Sequence, residues 1–397
     1  MNNKKPKSGL YRGKFFYFLG RNLFGKFLLK KAEFQGETYN IGNEPFLLFA
    51  NHCYALDPAF EIMSLKKYIR YVVSDHVVKN KFIRAFLNFT ASPIIKKREE
   101  SSDVIYNQII SSIKAGVNVA VHIEGGMTNT GETGFISKRN AVLAKECGSR
   151  LITYRIYGGF LKNPRWAKEE RNGPIFGGIV HEYSKEEIER MTVDELYDCI
   201  CKDLYVNNYD EQRKNPIEYK TEKPAENVEN MVYVCPKCKG ICTLKSKIDT
   251  VSCYCGFTAV IDKYGLWHSV YAPFDNLLEW DIFQKEVVKE FIDKIGDSTV
   301  IFHDEDQAVY NGLTKELLCK NATITLYKQK LTLISDGFYI TIPVSSIKRA
   351  DAVSKSDLAI VTDTNYYMIK TINPRSATKY NFAIRYLQGK ETLRSIS

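Results

Sequence analysis

The hydrophobic period changes part-way along the chain, and no single layer architecture fits both patterns. From residue 34 to about 205, short apolar runs alternate with longer amphipathic stretches, as strands separated by helices do in an α/β domain. Strands are expected at 46–50, 70–74, 117–123 and 151–157, and helices at 57–67, 103–115, 139–147 and 185–205. The last helix opens on Ser184 with Glu187 three residues on, a capping box. Beyond 298 the apolar residues recur at every second position: Ile324 and Leu326, Leu331 and Leu333, Phe338, Ile340 and Ile342, Leu358 and Ile360, Tyr367 and Ile369. Asp336-Gly337 supplies a hairpin turn. Tyr380, Ala383, Ile384 and Leu387 then fall at i, i+3, i+4 and i+7 before Gly389, which predicts a closing helix. At 397 residues, two or three domains are the expectation. With 44% hydrophobic and 26% charged residues, a largely disordered, collagen-like or polytopic membrane chain is excluded.

The charge is uneven. Residues 1–31 hold nine of the basic residues (Lys4, Lys5, Lys7, Arg12, Lys14, Arg21, Lys26, Lys30 and Lys31), with no acidic residue before Glu33, which leaves the other 366 residues at +1. Phe15, Phe16, Tyr17, Phe18, Leu19, Leu23, Phe24, Phe27, Leu28 and Leu29 are interleaved with them. A nucleic-acid arm needs Lys and Arg on a solvated surface, whereas Phe and Leu clustered beside Lys suit the headgroup boundary of an anionic bilayer. Residues 1–33 are therefore read as a membrane-contact segment, and nucleic acid is not an expected partner. No apolar run approaches the roughly 20 residues of a spanning helix, and no small-residue cleavage site follows. The segment is expected to lie on the membrane. The competing arrangement is a pair of short helices with their aromatics packed into a core.

Immediately after the apolar run at 46–50 comes Asn51-His52-Cys53-Tyr54-Ala55-Leu56-Asp57. This places His52 at the C-terminal end of a strand, where open α/β sheets carry their sites, and Asp57 at the start of the next helix. A carboxylate five residues on, across a tight turn, can hold one tautomer of the imidazole and stabilise its protonated form, so the pair supplies a general base. His76, His122, His181, His268 and His303 lack a carboxylate at that spacing and are read as structural; Cys53, beside the base, is read as a packing residue.

Three further segments follow: Pro93-Ile94-Ile95-Lys96-Lys97-Arg98, then His122-Ile123-Glu124-Gly125-Gly126-Met127-Thr128, then Leu151-Ile152-Thr153-Tyr154-Arg155. In order and spacing the four blocks resemble the glycerolipid acyltransferase family over roughly residues 10–205, and within it the bacterial lysophosphatidate acyltransferases. The resemblance implies that His52 deprotonates a glycerol hydroxyl, that Asp57 orients it, and that the hydroxyl attacks an acyl thioester directly. The donor would be acyl-CoA or acyl carrier protein, the acceptor lysophosphatidate and the product phosphatidate, a step of phospholipid biosynthesis. Asn51 belongs to the implied substrate-binding set. Lys96, Lys97 and Arg98 make chemical sense as a phosphate site. Glu124 would orient the acceptor or the basic residues, and Gly125 and Gly126 would allow close backbone approach to substrate, with free N–H groups to bind anions. One block departs from the family's Phe-Pro-Glu-Gly-Thr-Arg-Ser: His122 and Ile123 replace Phe and Pro, and Met127 stands where the Arg is expected. Either Lys138 or Arg139 supplies the missing cation, or the acceptor is another lysolipid or a glycerol phosphate. A catalytically inactive, membrane-associated binding protein is the alternative outside enzymes.

Five of the ten cysteines fall within residues 235–255, which fits thiols in a reducing compartment better than a disulfide framework. Cys235-Pro-Lys-Cys238 and Cys253-Tyr-Cys255-Gly look like a zinc ribbon whose four thiolates close a structural site. Cys242 is a possible substitute ligand. The β-rich end resembles a pleckstrin-homology or GRAM-like module in its strand pattern. The expected order is thus 1–33 membrane contact, 34–205 acyltransferase domain with a mixed sheet flanked by helices, 206–230 linker, 231–272 zinc ribbon, 273–297 connecting helix and 298–397 a small antiparallel β module capped by a C-terminal helix. The expected location is the cytoplasmic face of the membrane, as a peripheral protein.

Overall fold

The apolar run at 46–50 is a strand with every residue buried, which only a sheet covered by helices on both faces permits. The structure, a computed structural model, describes residues 7–74, 91–96, 102–353, 357–371 and 376–390. The chain folds into two compact units, 1–163 with 172–217, and 164–171 with 218–397.

In the first unit, seven strands form one sheet: β1 (Phe34–Gly36), β2 (Phe46–Ala50), β3 (Ile69–Ser74), β4 (Ile94–Lys96), β5 (Asn118–His122), β6 (Arg150–Tyr157) and β7 (Ile175–Tyr183), in the order β1-β7-β6-β2-β5-β3-β4. Strands β2 to β6 run parallel, β7 is antiparallel to β6, and β1 is parallel to β7, so the sheet is mixed. The helices are α1 (Lys7–Gly20), α2 (Lys26–Ala32), α3 (Asp57–Leu65), α4 (Ser102–Lys114), α5 (Arg139–Cys147), α6 (Gly159–Lys162), α7 (Lys185–Arg190), α8 (Val193–Leu204) and α9 (Asn208–Lys214). Ile105, Ile109 and Ile113 of α4 and Leu196, Ile200 and Leu204 of α8 recur at helical spacing and cover Leu47, Phe49 and Val119 of the sheet.

Three expectations differ from the structure. The helix expected at 185–205 is two helices, because Thr192 and Glu195 form a second capping box just after the first ends. Strand β7 was not expected: Gly177 and Gly178 interrupt its apolar pattern. The polar stretch at 206–230 carries α9 and buries Tyr209, Tyr219, Ala225 and Val228 rather than running as an open linker.

Helices α1 and α2 are joined by a π-helical turn, Arg21–Gly25. Their small residues face the body of the unit. A Cβ at Gly13 would lie 2.6 Å from the Tyr68 hydroxyl, and one at Gly25 would lie 2.3 Å from the Met63 sulfur. Phe15, Phe18, Leu19, Leu23, Phe24 and Phe27 are exposed. These side chains therefore do not pack into the core, whereas Tyr17 is partly buried with its ring 6.1 Å from that of Tyr68. No helix among the described residues is long and apolar enough to cross a membrane.

The second unit begins with a four-stranded antiparallel sheet, β8 (Leu244–Lys247), β9 (Thr250–Cys253), β10 (Thr258–Ile261) and β11 (Trp267–His268), in the order β11-β10-β9-β8. Helix α10 (Leu277–Lys294) follows, capped by Asn276, whose side chain accepts from the Glu279 N–H. Its Trp280 is fully buried among the rings of Phe257, Trp267 and Phe274 and donates to the Val234 carbonyl at 3.0 Å. Seven strands then form one antiparallel sheet: β12 (Phe302–Asn311), β13 (Leu317–Leu326), β14 (Lys330–Ser335), β15 (Phe338–Pro343), β16 (Arg349–Val353), β17 (Asp357–Val361) and β18 (Tyr366–Thr371), in the order β15-β14-β13-β12-β18-β17-β16. Helix α11 (Ala377–Leu387) sets Phe382, Ala383 and Ile384 against Ile324, Leu331, Leu358 and Ile369 of this sheet. Within that core lies an ion pair, Lys379 Nζ to Asp304 Oδ2 at 2.7 Å, and the same oxygen accepts from the Tyr380 hydroxyl at 2.8 Å.

Candidate active site

The loop leaving β2 carries His52, and its backbone is held from both sides. The His52 N–H donates to Glu124 Oε1 at 2.7 Å, and its carbonyl accepts from the Thr128 N–H at 2.9 Å. The other Glu124 oxygen accepts from the Gly134 N–H. Burial pushes the Glu124 carboxyl up to about 7, against the two N–H groups and the His122 charge that pull it down. Glu124, expected to orient the acceptor, thus orients the backbone of the base.

Asp57 opens α3 and is completely buried. Its Oδ2 accepts from the N–H groups of Cys53 and Tyr54 at 2.8 and 2.9 Å and meets His52 Nδ1 at 2.8 Å. Two backbone donors fix the carboxylate, so the imidazole has to present Nδ1–H to it, and the basic lone pair lies on Nε2. The ring keeps about a fifth of its surface exposed. A buried, oriented carboxylate and a half-buried imidazole in one tautomer are the two parts of a general base.

His122 lies at the end of β5, paired in register with Ala50. It was read from the sequence as structural, but it stacks on His52, with ring centroids 4.2 Å apart and planes within 9°. Its Nε2 is 2.8 Å from Glu61 Oε1, and Tyr71 donates to the other Glu61 oxygen at 2.8 Å. The carboxylate partner is 61 residues away in sequence and arrives through sheet register, which a search at fixed short spacing misses. The available signal was Glu61 itself, one helical turn beyond Asp57 on the same face. His52, Asp57 and His122 lie close enough for a metal by distance alone. Parallel rings argue against a shared ion, because a metal–imidazole bond lies in the plane of its ring.

The other expected residues sort differently. Asn51 is buried and clasps β6 through both ends of its amide: it donates to the Ile156 carbonyl and accepts from the Ile156 N–H, each at 2.7 Å. It ties the end of the strand carrying the base to β6. Gly125 has a left-handed φ of 75° and its N–H is bonded to the His122 carbonyl, so it is a turn former rather than a free anion donor. Gly126 is exposed, and a Cβ on either glycine would meet nothing within 4 Å. Lys96 is exposed at the end of β4; Lys97, Arg98 and His76 lie outside the described residues. Lys138 pairs with Asp194 and Arg139 with Asp103 on the surface, so neither replaces the Arg missing at Met127. Cys53 is buried, and burial with the nearby Asp57 and Glu124 charges pushes its thiol well up, which makes it a packing residue and not a nucleophile.

Residues 31–157 match the family model of the acyltransferases. Those residues carry an acyltransferase-family domain. Among curated proteins no sequence matches the chain. Among solved structures, the chain is similar to the 1-acyl-sn-glycerophosphate (LPA) acyltransferase PlsC from Thermotoga maritima, at 17% identity over 54% of this chain and 85% of that one, with a TM-score of 0.40. It is also similar to the Vps36 N-terminal PH domain, at 14% identity over 24% of this chain and 83% of that one, and to the N-terminal PH domain of human ARAP2, at 12% over 26% and 92%, both with a TM-score of 0.20. The acyltransferase match over residues 31–157 implies a lipid substrate and an acyl donor.

In the second unit, the sulfurs of Cys235, Cys238, Cys253 and Cys255 lie within 4.8 Å of one another, with Cys235 to Cys255 at 3.6 Å and Cys238 to Cys253 at 3.9 Å. Four thiolates about 2.3 Å from one tetrahedral ion would be about 3.8 Å apart, so the cluster fits a metal. Cys242, the substitute considered from the sequence, contacts Lys379 Nζ at 3.1 Å and is not part of this group.

Proposed function

We propose that this acyltransferase moves a fatty acyl group from a thioester, acyl-CoA or acyl carrier protein, to the free hydroxyl of lysophosphatidate, giving phosphatidate. The observation that carries the reading is the His52–Asp57 pair, locked in one tautomer at the end of β2. Nε2 of His52 takes the hydroxyl proton as oxygen attacks the thioester carbon. The C–O bond forms, the C–S bond breaks, and the imidazolium returns the proton to the leaving thiolate. No acyl-enzyme forms, consistent with the sealed thiol of Cys53. The exposed Phe and Leu stripe of α1 and α2, flanked by Lys14, Arg21, Lys26 and Lys30, supports a peripheral position on an anionic membrane, at its cytoplasmic face. The four-thiol cluster supports a structural zinc ion held by Cys235, Cys238, Cys253 and Cys255, which would clamp the ribbon and take no part in acyl transfer.

A second acceptor class is favoured by one observation: Met127 occupies the position of the family's Arg, and Lys138 and Arg139 are paired elsewhere. That acceptor is another lysolipid or glycerol phosphate. Labelled acyl-CoA and acyl carrier protein, each offered with lysophosphatidate, glycerol phosphate and neutral or zwitterionic lysolipids, separate the readings. Product that disappears in His52→Ala supports acyl transfer, and the preferred acceptor decides between the two classes. Absence of product with every pair would sink the enzymatic reading and leave a membrane-associated binding protein.

A further inference from the structure

Helix α3 carries two buried carboxylates one turn apart, and each holds an imidazole. Asp57 holds His52 at 2.8 Å and Glu61 holds His122 at 2.8 Å; the two rings lie face to face at 4.2 Å. Both oxygens of Glu61 are engaged, one by His122 and one by Tyr71, and its side chain is fully buried, so the His122 ring is fixed in plane as well as in position. His52 is thereby confined by Asp57 at its edge and by His122 on its face.

Two imidazoles stacked this closely cannot both carry a proton at moderate pH, because like charges at about 4 Å repel strongly where water is scarce. The groups facing the pair are Asp57 and Glu61 from α3, Glu124 from the turn after β5, and Tyr71 from β3. Two carboxylates hydrogen-bonded to the rings, with the Glu124 carboxyl nearby, therefore face one shared positive charge. Burial alone would lower the proton affinity of His122, but the charge and hydrogen bond of Glu61, with the Asp57 and Glu124 charges, raise it above the usual imidazole range. Burial and the charge on His122 lower that of His52, against the pull of Asp57.

We propose that His122, anchored by Glu61, is a positioning residue for His52: its ring sets the plane of the base and holds the positive charge of the stacked pair, leaving His52 as the free imidazole. A base kept free in this way accepts the proton of the attacking hydroxyl without first losing one to solvent. The proton is also only loosely held, so it passes readily to the departing thiolate. The inference rests on the assignment of His52 as the base.

The test is an NMR titration of the ring carbons of 13C-histidine-labelled full-length protein, in parallel with pH–rate profiles of acyl transfer. His122→Phe keeps a flat ring against His52 and removes the charge; Glu61→Gln keeps a hydrogen-bond acceptor and lets His122 go neutral. In both variants the His52 midpoint is expected to rise by about one pH unit, and the acid limb of kcat/KM to move up with it. A His52 midpoint that stays in place in a folded variant overturns the proposal and makes His122 a packing residue. If one variant fails to fold, the other carries the measurement. The ring titration needs no turnover, so a shifted midpoint without product would sink the acyl-transfer reading alone, and product without a shift would sink this inference alone.

Discussion

Replacing Phe18 and Phe24 together with serine removes two of the ring systems that α1 and the π-helical turn hold in solvent. The rings are 58% and 60% exposed in the free protein, so that fraction of each is available for burial in a bilayer. Full burial of a Phe side chain is worth roughly 1.5–3 kcal/mol, which makes each of these worth about 1–2 kcal/mol and the pair about 2–3.5 kcal/mol. At about 1.4 kcal/mol per tenfold, the partition coefficient onto vesicles should fall about thirty- to three-hundred-fold. The assay is co-sedimentation with sucrose-loaded vesicles of mixed zwitterionic and anionic lipid, followed as lipid is titrated. Because the same rings contribute little to the packed interior, the melting temperature should stay within a degree or two. Unchanged partitioning, or a large loss of thermal stability, would refute the reasoning, the first by removing the membrane and the second by showing that the rings are buried.

Glu124→Gln should lower stability by about 1–3 kcal/mol, since an amide can accept only one of the N–H groups from His52 and Gly134 and sets its own donor against the other; denaturant melts check this. The Glu124 carboxyl is raised from its ordinary 4.5 to about 7, so the native state keeps a proton that the unfolded chain releases, and stability from this group falls as pH rises from about 4.5 to 7. That slope, at most about 1.4 kcal/mol per pH unit, should be absent in the Gln variant. Metal analysis of the purified protein should find one zinc per chain, lost in Cys235→Ser and kept in Cys242→Ser, whose sulfur lies against Lys379 instead. Asp304→Ala should cost about 3–5 kcal/mol in thermal or denaturant unfolding, because it leaves the buried Lys379 ammonium without its carboxylate.

The part of the site that rests on local chemistry was legible in the sequence. A fully buried strand, a tight turn and a helix start place His52 and Asp57 together; the spacing suggests the pair and the order of the four blocks gives it weight. What was hidden depends on register. His122 reaches His52 only because β5 pairs with β2 so that His122 lies beside Ala50, and Glu61 reaches His122 only because α3 crosses at that level. The same holds for the clasp made by Asn51, whose partner on β6 is 105 residues away. At the other extreme, the period-two pattern of 324–369 announced the second sheet clearly, since its core face is lined by residues at every other position. The orientation of α1 and α2 was written in Gly13 and Gly25 rather than in the aromatics: two glycines on the side where the helices approach Tyr68 and Met63 set that side inward and leave Phe15, Phe18, Phe24 and Phe27 outward.

The assignment of residues 164–171 to the second unit, although the first unit resumes at 172, has a consequence for how the protein can be made or cut. Trp166 and Arg171 are almost completely buried, and both donate at 2.9 Å to the Pro224 carbonyl, 58 and 53 residues further along. During synthesis this eight-residue patch leaves the ribosome well before its counterpart exists, so an indole and a guanidinium wait in water until residue 224 follows. A fragment ending at 217 would keep them waiting permanently, and one starting at 218 would have a gap where they belong.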